Sequence, residues 1–256
     1  MSVHEVASSG FGSEAAAYER ARPSYPDDAV SWLVDVLRIA DNSKTIADVA
    51  AGTGKLTRLL AASGATVIAV EPVAGMRAFL AATTPGARAV AGTAEALPFA
   101  DASLDAITVA QAFHWFDAGA ALQEFHRVLR PGGRVGLIWN ARDRTVSWVD
   151  AMWTVMDRVE KRAPWRDHDE WRETAFVDQP WFTPLTERTF HHEQILTRDD
   201  AVDRMRSVSH VAVLPPDEQA AVLDEIRDVL ARDPATAGHD TVALPYRVDA
   251  YWVERL

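Results

Sequence analysis

TIADVAAGTGKLTRLL, residues 45–60, changes its pattern twice within a short stretch. Its first residues are β-branched and apolar, as in a buried strand, and its last residues place Leu56, Leu59 and Leu60 at helical spacing. The glycines between them, Gly52 and Gly54, have no Cβ atom, so a ligand can approach the backbone closely. The stretch therefore predicts a strand, a glycine turn and a helix, the arrangement by which open α/β sheets present backbone N–H groups to a ligand.

Three further motifs follow at predicted strand ends. The apolar run 66–70 leads into Glu71, and an acid at this position can accept hydrogen bonds from both hydroxyls of a ribose. Gly92-Thr-Ala-Glu95 precedes the next strand, and Arg130-Pro-Gly-Gly133 predicts a helix stop before the strand 134–139. Each motif is weak alone, because many nucleotide-binding folds have a glycine turn. Their order and spacing are more specific.

The set of four motifs resembles the class I S-adenosylmethionine-dependent methyltransferases. The likeness is closest to the branch that includes the ubiquinone/menaquinone-biosynthesis enzymes and the trans-aconitate methyltransferases, and it covers roughly residues 10–140. It implies an α/β three-layer sandwich with a mostly parallel seven-stranded sheet, whose last two strands are antiparallel at the edge, and a helical lid. We expect a single methyltransferase domain over 1–256. Its expected parts are N-terminal cofactor-covering helices (1–40), a cofactor-binding core (44–140), a helical lid (141–183) and closing strands and helices (184–256).

The alternation of strand and helix patterns predicts a parallel sheet covered on both faces, with the ligand over the carboxyl ends of the strands. The predicted strands are 45–50, 66–70, 88–91, 105–109, 134–139, 185–196 and 241–253. The predicted helices are 13–18, 27–37, 54–63, 73–82, 117–130, 143–173 with a break at Pro164, 198–208 and 216–231.

The resemblance assigns cofactor-binding positions for S-adenosyl-L-methionine, whose product is S-adenosyl-L-homocysteine. Asp48 would orient the glycine turn or bond to the amino group of the cofactor, and Glu71 would accept the ribose hydroxyls. Glu95 and the backbone N–H of Ala94 would recognise the adenine edge. Arg22 would pair with the carboxylate of the cofactor, pair with an acidic substrate, or stabilise a turn. The full set is Phe11, Tyr18, Arg22, Asp48, Ala50, Gly52, Thr53, Gly54, Glu71, Pro72, Met76, Thr93, Ala94, Glu95 and Gln111.

Two of these assignments carry an alternative. Glu71 could instead be a helix N-terminal acid that the helix dipole stabilises. Ala50 stands where the family often has glycine, so the backbone must tolerate one methyl group there.

The acceptor side of the site is expected to contain Tyr25, His114, Trp115, Trp139 and Arg142. His114 is the candidate general base, because its ordinary pKa is near neutral, and the alternative is that it only shapes the pocket. Trp115 and its neighbour Phe116 would pack on the sulfonium through cation–π attraction, or in the core.

Two acceptor classes stay open. An acidic substrate would use Arg22, Arg142 and Arg144. A hydroxylated aromatic would suit the tryptophans after residue 138 and use His114 as its base, and this class is favoured.

Bulk properties restrict the partners. The net charge of −11 disfavours a nucleic-acid ligand, since no run of Lys or Arg offsets it. The absence of cysteine excludes disulfides and zinc–thiolate sites and fits a reducing cytoplasm. The pair His191 and His192 points to opposite faces of a strand, so no metal is expected. The N-terminus has no signal-peptide pattern, and no apolar stretch reaches membrane-spanning length. We expect a cytoplasmic monomer or homodimer that acts on a small molecule.

Together, these features predict in-line methyl transfer to a small-molecule acceptor at oxygen, nitrogen or a carboxyl group. Two alternatives are a non-catalytic S-adenosylmethionine-binding protein and an NAD(P)-dependent oxidoreductase. The oxidoreductase fingerprint G-x-G-x-x-G has Thr57 at its third glycine position here, and it gives no role to Ala94, Glu95 or the motif 130–133.

Overall fold

The computed structural model describes Glu19, residues 22–160 and residues 171–256. The predictions for Phe11, Tyr18, the helix 13–18 and the break at Pro164 lie outside these residues.

Seven strands form one sheet in the order β3-β2-β1-β4-β5-β7-β6. Strands β1 to β5 run parallel to one another, and β7 is antiparallel to both β5 and β6. The predicted α/β fold, with an antiparallel pair at the edge, is therefore confirmed. The strand bounds are β1 Thr45–Val49, β2 Thr66–Val70, β3 Arg88–Val90, β4 Leu104–Ala110, β5 Leu129–Arg142, β6 Thr186–Thr197 and β7 Thr241–Glu254.

The described helices cover both faces of the sheet because each carries an apolar stripe. In α1, for example, Ala29, Val30, Leu33 and Leu37 are buried, at the spacing of one helix face. The helix bounds are α1 Asp27–Leu37, α2 Lys55–Ala61, α3 Ala74–Thr83, α4 Ala118–Val128, α5 Ser147–Glu160, α6 Trp171–Thr174, α7 Arg198–Arg206, α8 Ser209–Ala212 and α9 Pro216–Arg232. No helix in the described part of the chain is both long enough and apolar enough to cross a bilayer.

The strand order reverses beside β1, which lies between β2 and β4. At such a switch point the loops that follow neighbouring strands diverge and leave a crevice over the carboxyl ends. The loops after β1, β2 and β4 contain the glycine turn, Glu71 and the segment that begins at Gln111. The topology therefore brings the predicted cofactor motifs to one edge of the sheet.

Strand β5 differs from the predicted strand 134–139 at both ends. Leu129 already pairs with Leu104, and the ladder shifts register before Arg134 pairs with Ala106. The motif 130–133 is thus an irregular part of β5 that directly follows the end of α4. At its other end β5 continues to Arg142, where it still pairs with β7.

The long ends of β5, β6 and β7 support the lid, which we define as these ends together with α5, α7, α8 and α9. Its core is a separate apolar cluster that contains Trp148, Trp153, Met205 and Leu244. Trp139 and Trp171 belong instead to the cluster on which α4 packs. Four of the tryptophans after residue 138 therefore have packing roles.

Candidate functional site

The glycine turn adopts left-handed backbone angles at three positions, Ala50 (φ 54°), Gly52 (58°) and Gly54 (84°). A Cβ atom added to Gly54 would lie 2.7 Å from Cγ of Leu80, so Gly54 permits α2 and α3 to pack. A Cβ atom added to Gly52 would meet nothing within 4 Å among the described residues. Of the two glycines, Gly52 is therefore the one whose surroundings are open within the described part of the chain.

Asp48 is buried at the end of β1 and is fully occupied by two threonines. One carboxylate oxygen accepts a hydrogen bond from Thr57 Oγ1 at 2.6 Å, and the other accepts one from Thr108 Oγ1 at 2.9 Å. Burial raises the pKa of Asp48 to about 6, although the threonine hydrogen bonds oppose the shift. These contacts connect β1, β4 and α2 around the turn, and the role of Asp48 toward the cofactor stays a prediction.

Glu71 is tied directly to the turn. Its Oε2 accepts the backbone N–H of Gly52 at 2.8 Å, and its Oε1 accepts the N–H of Val73 at 2.8 Å. Burial raises its pKa, while these two N–H groups lower it. Arg77 Nη1 donates to the carbonyl of Glu71 at 2.7 Å and holds the loop after β2 in place. The carboxylate is thus fixed within hydrogen-bond distance of the residue that borders the open space.

The segment 92–95 lies against the end of β2. A Cβ atom on Gly92 would come within 2.9 Å of both Val70 Cγ1 and Pro98 Cδ, so only glycine fits this contact. Ala94 is buried, and Glu95 is half-buried with Oε1 accepting the N–H of Asp117 at 3.1 Å. Glu95 therefore also anchors the start of α4.

The segment after β4 places His114 on a single 3-10 turn, Phe113–Trp115. Gln111 has φ 58°, and its N–H donates to the carbonyl of Ile138 at 2.9 Å, which turns the chain sharply at the strand end. The His114 ring centroid lies 4.9 Å from that of Trp115 and 6.5 Å from that of Trp139. Trp139 is itself buried and stacks on Trp171 at 4.5 Å, so its part in an acceptor pocket stays a prediction.

The basic residues Arg142, Arg204 and His210 belong to the lid, and we call these together with Arg22 the basic cluster. Arg22 Nη2 donates to the carbonyl of Ser207 at 3.0 Å, which places it next to α7 and α8. Arg142 lies over the Trp153 ring at 3.6 Å and is 3.6 Å from Asp157.

Burial, together with the charges of Arg142 and Arg22, lowers the pKa of His210 to about 4. Arg204 and His210 were not predicted, because their burial depends on how distant elements pack.

The remaining predicted positions lie beside α1, at α3 and the loop before it, and on the surface beside α5. Tyr25 is buried with the α1 cluster, and Met76 is buried on α3 beside the exposed Pro72. Arg144 is exposed and pairs with Asp150 and Asp157 on the surface of α5.

Glu19 is a further contact that the sequence did not single out. Its Oε2 accepts a hydrogen bond from Thr53 Oγ1 at 2.5 Å, and its backbone carbonyl accepts one from Lys55 Nζ at 3.0 Å. Its carboxylate also forms an ion pair with Arg58. Glu19 therefore lies against the glycine turn.

Comparison with known proteins identifies the chain. Residues 47–137 match the methyltransferase domain family. An uncharacterized methyltransferase of Mycobacterium tuberculosis is 39% identical over 236 residues, which cover 92% of this chain and 91% of that protein. An uncharacterized methyltransferase-like protein of Schizosaccharomyces pombe is 33% identical over 246 residues, covering 96% of this chain and 95% of that protein. The chain belongs to the class I S-adenosylmethionine-dependent methyltransferases.

A solved structure supports the assignment across the whole methyltransferase fold. A presumptive type II methyltransferase from Anaeromyxobacter dehalogenans superimposes with a TM-score of 0.68 at 26% identity, covering 91% of this chain and 96% of that chain. The family uses S-adenosylmethionine as its methyl donor.

The site of this methyltransferase suits that cofactor in two respects. Gly52 leaves open space at the turn, and the fixed carboxylate of Glu71 has lone pairs that can accept hydroxyl hydrogen bonds. The structure brings most of the predicted cofactor residues to the loops at one sheet edge: Asp48, Ala50, Gly52, Thr53, Gly54, Glu71, Pro72, Thr93, Ala94, Glu95 and Gln111. Among the described residues, no three His, Cys, Asp or Glu side chains are grouped as a metal site.

Proposed function

We propose that the protein transfers the methyl group of S-adenosylmethionine to a small-molecule acceptor by in-line displacement. The observation that supports the proposal is the hydrogen bond from the Gly52 N–H to the Glu71 carboxylate, which joins the acid predicted to bind the ribose to a turn with open space among the described residues. Glu71 would bind the ribose hydroxyls, Gly52 would border the amino-acid part of the cofactor, and Ala94 and Glu95 would contact the adenine.

The reaction makes modest demands on the protein. When bound, the cofactor supplies an electrophilic methyl group on a positive sulfur. The acceptor atom would take this methyl group as the carbon–sulfur bond broke with its electron pair left on sulfur, and S-adenosylhomocysteine would be the product. The protein must hold acceptor and donor about 3–3.5 Å apart and aligned. The catalysis that we propose therefore comes from the sheet edge and the lid, which would hold the two reactants in this position.

His114 would accept a proton if the acceptor is a hydroxyl or an amine. Its position on the turn after β4 supports this role, because that turn follows the strand next to β1. The test is a pH–rate profile of His114→Ala with an acceptor that the enzyme turns over. If turnover falls at least tenfold and the variant loses the part of the profile that is set by a group with a near-neutral pKa, His114 is the base. An unchanged profile shows that His114 only shapes the pocket.

The contacts of Thr57 argue against a nicotinamide-binding alternative. In the dinucleotide fingerprint, the third glycine permits close packing of helix and strand. Here this position is the buried Thr57, whose hydroxyl is used to hold Asp48. A threonine side chain that makes a hydrogen bond therefore occupies the position where the fingerprint requires glycine.

Two measurements test the proposed function. Isothermal titration calorimetry should show one-to-one binding of S-adenosylhomocysteine and none of NAD+ or NADP+. Release of S-adenosylhomocysteine from S-adenosylmethionine, measured across a panel of small hydroxy, amino and carboxylic acids, should then separate an enzyme from a non-catalytic binder. Nicotinamide binding without S-adenosylhomocysteine binding would overturn the proposal.

A further inference from the structure

Glu19 connects a remote part of the chain to the glycine turn and to α2. Its Oε2 accepts a hydrogen bond from Thr53 Oγ1 at 2.5 Å, and Thr53 lies 34 residues further along the sequence. Its Oε1 lies 3.3 Å from Lys55 Nζ and also pairs with Arg58, and its backbone carbonyl accepts a hydrogen bond from Lys55 Nζ at 3.0 Å. One carboxylate therefore binds three side chains that belong to the turn and to the beginning of α2.

This carboxylate offsets the repulsion between two cations of α2. Burial lowers the pKa of Lys55, the Glu19 carboxylate opposes this shift, and the charge of Arg58 adds to it. The side chains of Glu19, Lys55 and Arg58 are 21%, 20% and 29% exposed, so solvent screens these charges less than it would at an open surface. Without an acid at position 19, two partly buried like charges would lie side by side next to the turn.

The turn 50–54 has a backbone conformation that depends on such contacts. Three of its residues have left-handed φ angles, and one of them is an alanine, for which this region is unfavourable. A conformation of this kind persists where surrounding groups hold it in place. Glu71 Oε2 accepts the N–H of Gly52 at 2.8 Å, and at the next residue Glu19 accepts the hydroxyl of Thr53. Two neighbouring residues of the turn are thus held by carboxylates from outside it.

Arg58 gives Glu19 a second connection to the same residue. Its Nη1 donates to the carbonyl of Thr53 at 2.9 Å, while its Nη2 pairs with the Glu19 carboxylate. Glu19 therefore holds the hydroxyl of Thr53 directly and its carbonyl through Arg58.

We propose that Glu19 is a positioning residue for the cofactor, which fixes Thr53 and so keeps the turn in the conformation that receives S-adenosylmethionine. The inference rests on the proposed methyl transfer, in which the turn borders the amino-acid part of the cofactor. Thr53 directly follows Gly52, whose N–H is bound to Glu71, the predicted ribose ligand. A shift of Thr53 would therefore move both the open space at Gly52 and the N–H that orients Glu71. A turn that is already fixed does not have to be ordered when the cofactor binds, which favours affinity.

Calorimetry with S-adenosylhomocysteine tests the proposal without requiring turnover. We expect Glu19→Ala to raise the dissociation constant at least tenfold, because the cofactor must then order the turn as it binds. Glu19→Gln removes the charge but keeps an acceptor for Thr53 Oγ1, so it should raise the dissociation constant at least threefold but less than Glu19→Ala does. Circular dichroism checks that each variant is folded, and Glu19→Gln serves as the test if Glu19→Ala is not.

The matched control is Asp105→Ala, at the opposite end of the sheet from the turn. Asp105 also places one carboxylate between two cations, Lys44 at 3.4 Å and Arg130 at 2.6 Å, and it accepts the N–H of Thr45 at 2.9 Å. Its side chain is 16% exposed, close to the 21% of Glu19. Both alanine variants should lose stability in urea titrations, but Asp105→Ala should bind S-adenosylhomocysteine within twofold of the wild type. Equal losses of affinity in the two variants would show a general effect of destabilisation and would overturn the inference.

A double-mutant cycle tests whether Glu19 acts through Thr53. Thr53→Val removes the hydroxyl group and keeps the shape of the side chain. The double variant Glu19→Ala/Thr53→Val should raise the dissociation constant at least threefold less than the product of the two single effects, because both changes remove the same hydrogen bond.

Three results would contradict the inference. One is full multiplication of the two single effects in the cycle, which would show that Glu19 acts independently of Thr53. The others are a dissociation constant of Glu19→Ala within threefold of the wild-type value and an unchanged dissociation constant of Glu19→Gln. The proposed function fails separately, when the wild type does not bind S-adenosylhomocysteine.

Discussion

The cofactor edge and the lid are assembled from the chain in different ways. At the cofactor edge, the turn 50–54 and Glu71 are close in sequence, and backbone N–H groups and missing Cβ atoms shape the site. In the lid, the members of the basic cluster come from three parts of the chain that are far apart in sequence, around residues 22, 142 and 204–210. The comparison teaches that a predicted donor site can be built from one local stretch, whereas the side chains of the lid come together only through tertiary packing.

The largest effect should come from Glu71→Ala. In the proposed function, this variant would remove the acceptor of two ribose hydroxyl hydrogen bonds, and bonds to a charged group contribute about 1.5–3 kcal/mol each. We expect the dissociation constant for S-adenosylhomocysteine to rise at least 100-fold by calorimetry, since about 1.4 kcal/mol corresponds to a factor of ten.

Glu187→Ala, on the exposed part of β6, is the control and should bind as the wild type does. Circular dichroism must show both variants folded. If the dissociation constant of Glu71→Ala for S-adenosylhomocysteine were within threefold of the wild-type value, Glu71 would not be the central cofactor ligand.

The two glycines of the turn should separate stability from binding. Gly54→Ala combines a left-handed φ, which costs about 1–2 kcal/mol, with overpacking against Leu80, which costs about 1–3 kcal/mol. We expect its free energy of unfolding to fall by about 2–5 kcal/mol in urea titrations.

Gly52→Ala should lose only about 1–2 kcal/mol of stability but weaken S-adenosylhomocysteine at least tenfold, because its methyl group enters the open space. Gly238→Ala is the matched control, since it also has a left-handed φ (76°) and open surroundings. It should lose similar stability without any change in affinity. Equal affinities of Gly52→Ala and Gly238→Ala for S-adenosylhomocysteine would show that the ligand does not bind at the turn.

Asp48→Asn should change how stability depends on pH. Asp48 has a pKa of about 6 in the folded protein and an ordinary value of 3.8, so the folded state holds its proton more tightly. Its stabilising contribution is therefore complete below pH 3.8 and is lost as the pH rises through 6. Relative to the wild type, Asp48→Asn should gain about 1 kcal/mol in free energy of unfolding between pH 5 and pH 7.5. Urea titrations at the two pH values measure this, and the exposed Asp240→Asn should show no such gain. A parallel pH dependence in Asp48→Asn and the wild type would contradict the assignment.

The smallest effect should come from Ala50→Gly. Ala50 has φ 54°, and glycine relieves this strain at a cost in unfolded-state entropy, so we expect a net gain of at most about 1 kcal/mol. Ala102→Gly, at φ 48° outside the cofactor edge, should gain a similar amount. Thermal denaturation checks both variants. A loss of stability in Ala50→Gly alone would show that the alanine methyl group makes a contact that the turn needs.

The same contrast explains how far the sequence could be interpreted. Period-two and period-3.6 patterns placed the strands and helices well, including α1 and the long antiparallel strands, because one face of each is apolar. The sequence predicted the same role for both glycines of the turn, whereas the contact with Leu80 distinguishes Gly54 from Gly52. The extension of β5 to Arg142 was missed because its last residues are polar. Arg204 sits in a helix rich in charged residues, so no periodicity indicated that its guanidinium is buried.

Hydrogen–deuterium exchange with and without S-adenosylhomocysteine tests the central claim most directly, because it locates the bound cofactor on the backbone. The account predicts slower exchange of the amides in 50–54, 71–73 and 93–95, and unchanged exchange in the core of α7. Slower exchange confined to the lid, with none in 50–54, would contradict it.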